Sequence, residues 1–109
     1  MKPVDLKKLV VHTLEEQQGI DIVALDVRTL TSITDFMIIC TGRSNRHVKS
    51  LADGVVEKAK EQGVRALSIE GTGTGEWVLV DLVDVVVHLM QPKAREFYDL
   101  EKLWTSFEK

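Results

Sequence analysis

The chain of 109 residues holds a single cysteine, Cys40, so no disulfide can form within it. Cys40 ends the apolar run Phe36-Met37-Ile38-Ile39-Cys40, where a lone thiol reads as a small core residue of a reducing compartment rather than a nucleophile. No run approaches the ~18 apolar residues that span a membrane. The start, Met1-Lys2-Pro3-Val4-Asp5, lacks the apolar core of a signal peptide. A cytoplasmic protein with no membrane partner is therefore expected. Basic residues are not in excess either: 14 Lys and Arg face 17 Asp and Glu, for a net charge of −3. The net acidity lies entirely in residues 66–109, with four basic against eight acidic side chains, while residues 1–65 carry ten basic against nine acidic. Such a surface disfavours general nucleic-acid binding and suits a basic protein partner.

What is present is the material of one globular domain spanning residues 1–109. Hydrophobic residues make up 44% and charged residues 28%, enough for one core and not for two. A chain of this length buries roughly 65% of the surface it exposes when unfolded. Its stability should be modest, which leaves room for a homodimer when the protein is free.

Three segments carry helical periodicity. Leu6, Leu9, Val10 and Leu14 share one face, with Gly19 as the stop. Val48, Leu51, Ala52, Val55, Val56 and Ala59 form a second stripe, with Ser44 as N-cap and Gly63 past the end. Gly54 interrupts that helix at a cost of about 1 kcal/mol relative to Ala, and close packing is the natural reason. A third helix follows Pro92, with Phe97, Leu100 and Leu103 or Trp104 at helical spacing. Strands are predicted over 22–28, 35–41, 66–70, 77–80 and 85–90. The strand over 35–41 is apolar without alternation, which implies cover on both faces. Only four residues separate the last two strands, so they should pair as an antiparallel hairpin. The strand over 35–41, the second helix and the strand over 66–70 read as a right-handed parallel crossover. The expected fold is α/β: one mixed sheet of about five strands packed by helices.

Two stretches invite a chemical reading. Thr41-Gly42-Arg43-Ser44 turns from a strand into a helix N-terminus, where free amides can hold an anion. Glycine for the turn and serine for the cap explain the same residues. The turn resembles the opening glycine-serine of the nucleotidyltransferase fold, whose active members place two alternating acids on the next strand to bind metal. Two-metal chemistry needs carboxylates around ions about 4 Å apart. Here that strand reads Leu67-Ser68-Ile69-Glu70, with serine at the first acidic place and only Glu70 left. The resemblance thus implies the fold without its catalytic pair. Gly71-Thr72-Gly73-Thr74-Gly75 could cradle a phosphate, but it leads into a strand rather than a helix, so it reads as a connection. His12, His47 and His88 show no i, i+4 metal spacing. His88, among valines, reads as a satisfied core or interface residue. No metal or cofactor is expected. A surface is the remaining candidate: Trp77 beside Glu76, Asp81 and Asp84 at the hairpin tip, and Tyr98, Glu101 and Trp104 in the last helix are aromatics ringed by acids.

Several stretches in order carry a family resemblance. They are Asp21-Ile22-Val23-Ala24-Leu25-Asp26-Val27, then 32–42 with Ser44, Arg46 and His47, then Glu70-Gly71, Glu76-Trp77-Val78-Leu79-Val80-Asp81, Asp84-Val85-Val86-Val87-His88, and finally Arg95, Phe97-Tyr98, Leu100-Glu101 and Leu103-Trp104. Together they resemble the ribosomal silencing factor, or Iojap-related, family. That resemblance implies a non-catalytic translation repressor. It would bind the large ribosomal subunit through the ribosomal protein numbered fourteen and sterically block joining of the small subunit. It also implies a link to large-subunit biogenesis and room for limited ribosomal RNA contact. The partner surface is expected to comprise Glu70, Trp77, Asp81, Asp84, Met90, Tyr98 and Glu101, the acids pairing with Lys or Arg and the others supplying apolar area. A degenerate nucleotide-binding protein using Gly42, Ser44 and Glu70 is the alternative. One departure stands out. Families of this type commonly carry glycine where this chain has Val83, and a β-branched residue resists φ > 0, so the hairpin tip is in question.

Overall fold

The structure, a computed structural model, describes residues 1–105, with side chains through Leu103; what was expected of the Trp104 side chain lies outside the described residues. In chain order the elements are α1 (Pro3–Glu16), β1 (Ile20–Asp26), β2 (Phe36–Thr41), α2 (Asn45–Glu61), β3 (Ser68–Glu70), β4 (Trp77–Asp81), β5 (Val85–Met90), α3 (Pro92–Tyr98) and α4 (Leu100–Thr105). The five strands form one sheet in the order β1-β2-β5-β4-β3. The expected α/β class and mixed five-stranded sheet are present.

β2 and β5 pair in parallel, in register from Phe36 opposite Val85 to Thr41 opposite Met90. The other neighbours, β1–β2, β4–β5 and β3–β4, are antiparallel. All six residues of β2 are buried, as its unbroken apolar run requires in a strand covered on both faces. The crossover from β2 through α2 to β3 differs from the expectation in one respect. The two strands run the same way, but β5 and β4 lie between them. β5 takes the place beside β2 because its run Val85-Val86-Val87-His88-Leu89-Met90 can be buried on both faces. β3, only three residues long and largely exposed, is suited to an edge.

One face of the sheet carries the main core. Leu6, Val10 and Leu14 of α1 and Val48, Leu51, Val55 and Ala59 of α2 pack on Ile38, Cys40, Val78, Val80, Val87 and Leu89. Each fully buried Val, Leu or Ile side chain here contributes about 1.5–3 kcal/mol. Pro3 opens α1. Ser44 caps α2 as predicted, its hydroxyl accepting the His47 N–H at 3.1 Å. Gly54 is explained by contact between helices: a Cβ there would run into the side-chain amide of Gln17, at the end of α1.

The segment after Pro92 is not one helix. Asp99, in the left-handed region at φ 46°, ends α3, and α4 restarts at Leu100. The break turns the predicted stripe outward. Phe97 is 79% exposed and Leu103 is exposed, while Leu100 packs on a second, smaller cluster of Val27, Met37, Ile39 and Met90.

The hairpin tip adopts the conformation that valine resists. Val83 has φ 73°, and the Asp84 N–H donates to the Leu82 carbonyl at 3.0 Å across it, the closure of a γ-turn. The Asp81 carboxylate steadies the tip by accepting the Val83 N–H at 2.8 Å. A β-branched residue held there costs about 1–3 kcal/mol, and glycine gives back part of that as unfolded-chain entropy. Val83→Gly is therefore expected to raise unfolding stability by about 1 kcal/mol, measured by urea denaturation. Gly71 is the opposite case: at φ 88° its Cβ position is filled by the Trp77 carbonyl. Gly71→Ala is expected to cost at least about 2 kcal/mol in the same assay.

Candidate functional site

Residues directly opposite across paired strands share a face, so the registers define the side of the sheet away from α1 and α2. It carries Ser68 and Glu70 of β3, Trp77, Leu79 and Asp81 of β4, Val86, His88 and Met90 of β5, and Met37 and Ile39 of β2. β4 shows the alternation plainly. Val78 and Val80 are buried under the helices, while Trp77, Leu79 and Asp81 are half-buried on the other side. In the sequence this alternation is masked because Val78, Leu79 and Val80 are all apolar.

The second face is covered over only part of its width. Near β1 and β2, Leu30, Ala94 and Leu100 lie over Met37, Ile39 and Met90. Toward β3 the face is open among the described residues: Glu70 is exposed and Ser68, Leu79, Asp81 and Val86 are half-buried. Trp77 sits at the boundary. Its indole Nε1–H donates to His88 Nδ1 at 3.0 Å, and Tyr98 packs on it with ring centroids 4.5 Å apart and planes tilted 45°. Phe97 meets Tyr98 edge-on at 5.0 Å. Beside these rings runs a groove of about 590 Å³ whose walls include Glu76, Gln91, Lys93 and Phe97.

The predicted site residues divide accordingly. Glu70, Trp77 and Asp81 share the open face, and Tyr98 extends it. Asp84 lies at the hairpin tip, where its carbonyl accepts the N–H groups of Asp35 and Phe36 at 3.0 and 3.1 Å. Met90 was expected to offer apolar area to a partner and cannot. It is wholly buried, because its register opposite Trp77 places it beneath α3 and α4. Glu101 also works inward: its carboxylate accepts from Arg95 Nε at 2.7 Å. Phe97, which the sequence reading grouped by helical spacing with Leu100 and Leu103, is an exposed aromatic beside Tyr98 and was not among the predicted site residues. Leu79 and Val86, half-buried on the open face, were not singled out either.

The anion-site reading of Gly42-Arg43-Ser44 meets a turn in which three of the backbone donors are engaged. The Gly42 N–H reaches the Met90 carbonyl at 3.0 Å, the Arg43 N–H reaches His47 Nδ1 at 3.0 Å, and the His47 N–H reaches Ser44. Glu70 and Asp81 lie on neighbouring strands, with Ser68 opposite Asp81. Among the described residues no group of three or more His, Cys, Asp or Glu side chains is placed to hold a metal ion. The 71–75 stretch connects two antiparallel strands, as its sequence context suggested.

His88 is 6% exposed, and burial pushes its pKa down to about 4. Accepting a hydrogen bond at Nδ1 fixes the neutral ring with its proton on Nε2. The unfolded chain takes up a proton near pH 6.5 and the folded protein near 4, so stability is full above 6.5 and falls as pH drops through that window. The wild type is expected to lose about 2 kcal/mol more than His88→Gln between pH 7 and pH 5, measured by denaturant titration at both values.

Residues 2–109 match the family described as ribosomal silencing factor during starvation. The ribosomal silencing factor RsfS of Chromobacterium violaceum is 50% identical over 104 residues, covering 95% of this chain and 85% of that protein. A crystal structure of a Chromobacterium violaceum protein is similar with a TM-score of 0.94 at 50% identity, over 96% of this chain and 88% of that one. The mouse protein named mitochondrial assembly of ribosomal large subunit protein 1 is 35% identical over 100 residues, 89% of this chain and 44% of that protein. With the family profile matched along almost its whole length and the fold shared with a relative at half identity, the chain belongs to the ribosomal silencing factor family.

Proposed function

We propose that the protein docks on the large ribosomal subunit through ribosomal protein fourteen and, by occupying the surface that meets the small subunit, keeps the two subunits apart. The observation that carries this reading is the open part of the second sheet face, where Trp77 and Tyr98 pack together on the same side of the sheet as Glu70 and Asp81. Large aromatics fixed by packing, with charges around them, are the make-up of a protein-binding hot spot. Family membership supports a ribosomal partner, and the name of the mouse relative refers to the large subunit.

In this reading Tyr98 and the exposed edge of Trp77 supply apolar contact, while Glu70, Asp81 and Asp84 face Lys or Arg of the basic partner. Met90 and Glu101 contribute from within, by supporting the rings and the helices around them. Exposed acids repel phosphate, so contact with ribosomal RNA is limited. Occlusion requires an affinity and a position, and no bond of the partner is broken or formed. It therefore needs no activated nucleophile and no metal.

The test is sedimentation of purified subunits with wild type, Tyr98→Ala and Glu70→Lys. Both substitutions lie on exposed side chains and spare the Trp77–His88 bond. The wild type is expected to travel with the large subunit and to reduce joined ribosomes. Tyr98→Ala should weaken binding about tenfold, and Glu70→Lys should weaken it with a reduced dependence on salt. A wild type that neither binds nor alters joining would end this reading. Binding by both variants equal to wild type would move the contact off this face.

A further inference from the structure

α3 presents Phe97 and Tyr98 on the partner side of the molecule, yet none of its residues is fully buried. An element of seven residues with so little apolar burial is not held in one orientation by packing alone. Its tether is Arg95. That side chain is 14% exposed and its guanidinium reaches three separate parts of the chain. Nε donates to Glu101 of α4 at 2.7 Å. Nη1 donates to the Asp21 carbonyl of β1 at 2.6 Å and to the Thr41 hydroxyl of β2 at 2.8 Å, with the Ile20 carbonyl at 3.5 Å.

The acceptors are built for it. The β1–β2 register shifts between Ile20 and Val23, and Asp21 lies in the left-handed region at φ 49°. This bulge interrupts the ladder beside β2, and the Asp21 carbonyl accepts from Arg95 instead. Thr41 is the last residue of β2 and is buried. One planar cation thus joins the bulge, the end of β2 and α4 to the middle of α3. Only a guanidinium offers several donors in a rigid fork for such a junction.

We infer that Arg95 is the positioning residue of the partner surface: by tying α3 and α4 to the β1 bulge and the end of β2, it holds Tyr98 against Trp77 in the orientation that the partner meets. This inference rests on the docking reading above. Arg95 itself faces inward and makes no contact with the partner; it acts through Tyr98.

Native-state hydrogen exchange and large-subunit binding are compared for wild type, Arg95→Ala and Arg95→Lys, each also in a Tyr98→Ala background. Arg95→Lys keeps the charge and the stem and guards against loss of the fold. Amides of residues 93–98 are expected to exchange at least about tenfold faster in both variants, while those of β2 and β5 keep wild-type protection. Binding should weaken about tenfold, and with Tyr98 already removed the Arg95 substitution should add little. Unchanged exchange over 93–98, or equal loosening of β2 and β5, overturns the tether. An Arg95 effect on binding of the same size in both backgrounds overturns its action through Tyr98. A wild type that does not bind the large subunit removes the docking reading and the positioning role with it, whatever the exchange pattern.

Discussion

The parallel pairing of β2 with β5 is the contact on which the rest of the molecule depends. It joins segments almost fifty positions apart in six consecutive register pairs. A parallel pair is usually covered on both faces, so both strands are largely apolar; every residue of the two but Val86 is buried. Once the pair exists, the main core can form only on the side where α1 and α2 close over Ile38, Cys40, Val87 and Leu89. The hairpin with β4 then carries Trp77 and Asp81 to the other side. The Asp84 carbonyl, accepting from Asp35 and Phe36, ties the hairpin to the start of β2 and so sets the register from which every position on the open face follows.

That second face is divided between two demands. Part of it is covered by Leu30, Ala94 and Leu100 and holds the small cluster around Met90. The rest is left to water, with polar and acidic side chains among half-buried apolar ones. Trp77 serves both sides: its ring packs against the small cluster, and its N–H is satisfied by His88. A tryptophan whose polar atom is already bonded loses no hydrogen bond when a partner covers it, which makes it a good anchor at low desolvation cost.

Local features were the legible ones. The β2 run announced its double burial, Ser44 its cap and Pro92 the start of α3, because each depends on residues within a turn or two. The resemblance along 21–104 carried the family, and the acids and aromatics at Glu70, Trp77, Asp81 and Tyr98 do lie on the open side. Pairing over long distance was not legible. Nothing local says that β2 prefers β5 to β3, since that choice depends on which strand can be buried twice. The fate of Met90 follows from the same register, and Met90 is apolar in either environment. The break at Asp99 escaped because Phe97, Leu100 and Leu103 keep a helical period through it, and a left-handed aspartate costs little. The bond between Trp77 and His88 joins residues eleven positions apart, which only the strand register brings together.

Cys40 lies in the innermost layer of the main core, fully buried, and burial pushes its thiol up to about 11. At neutral pH about one part in ten thousand is thiolate, and that fraction is out of reach of any reagent. Oxidants and alkylating agents therefore meet an inert thiol as long as the sheet stays closed under α1 and α2. When the core opens, the sulfur becomes an ordinary reactive thiol. The lone cysteine is thus a built-in clock for opening: its rate of labelling counts openings of the core between the sheet and α1 and α2 and ignores movement of α3 and α4, which lie on the other side of the sheet.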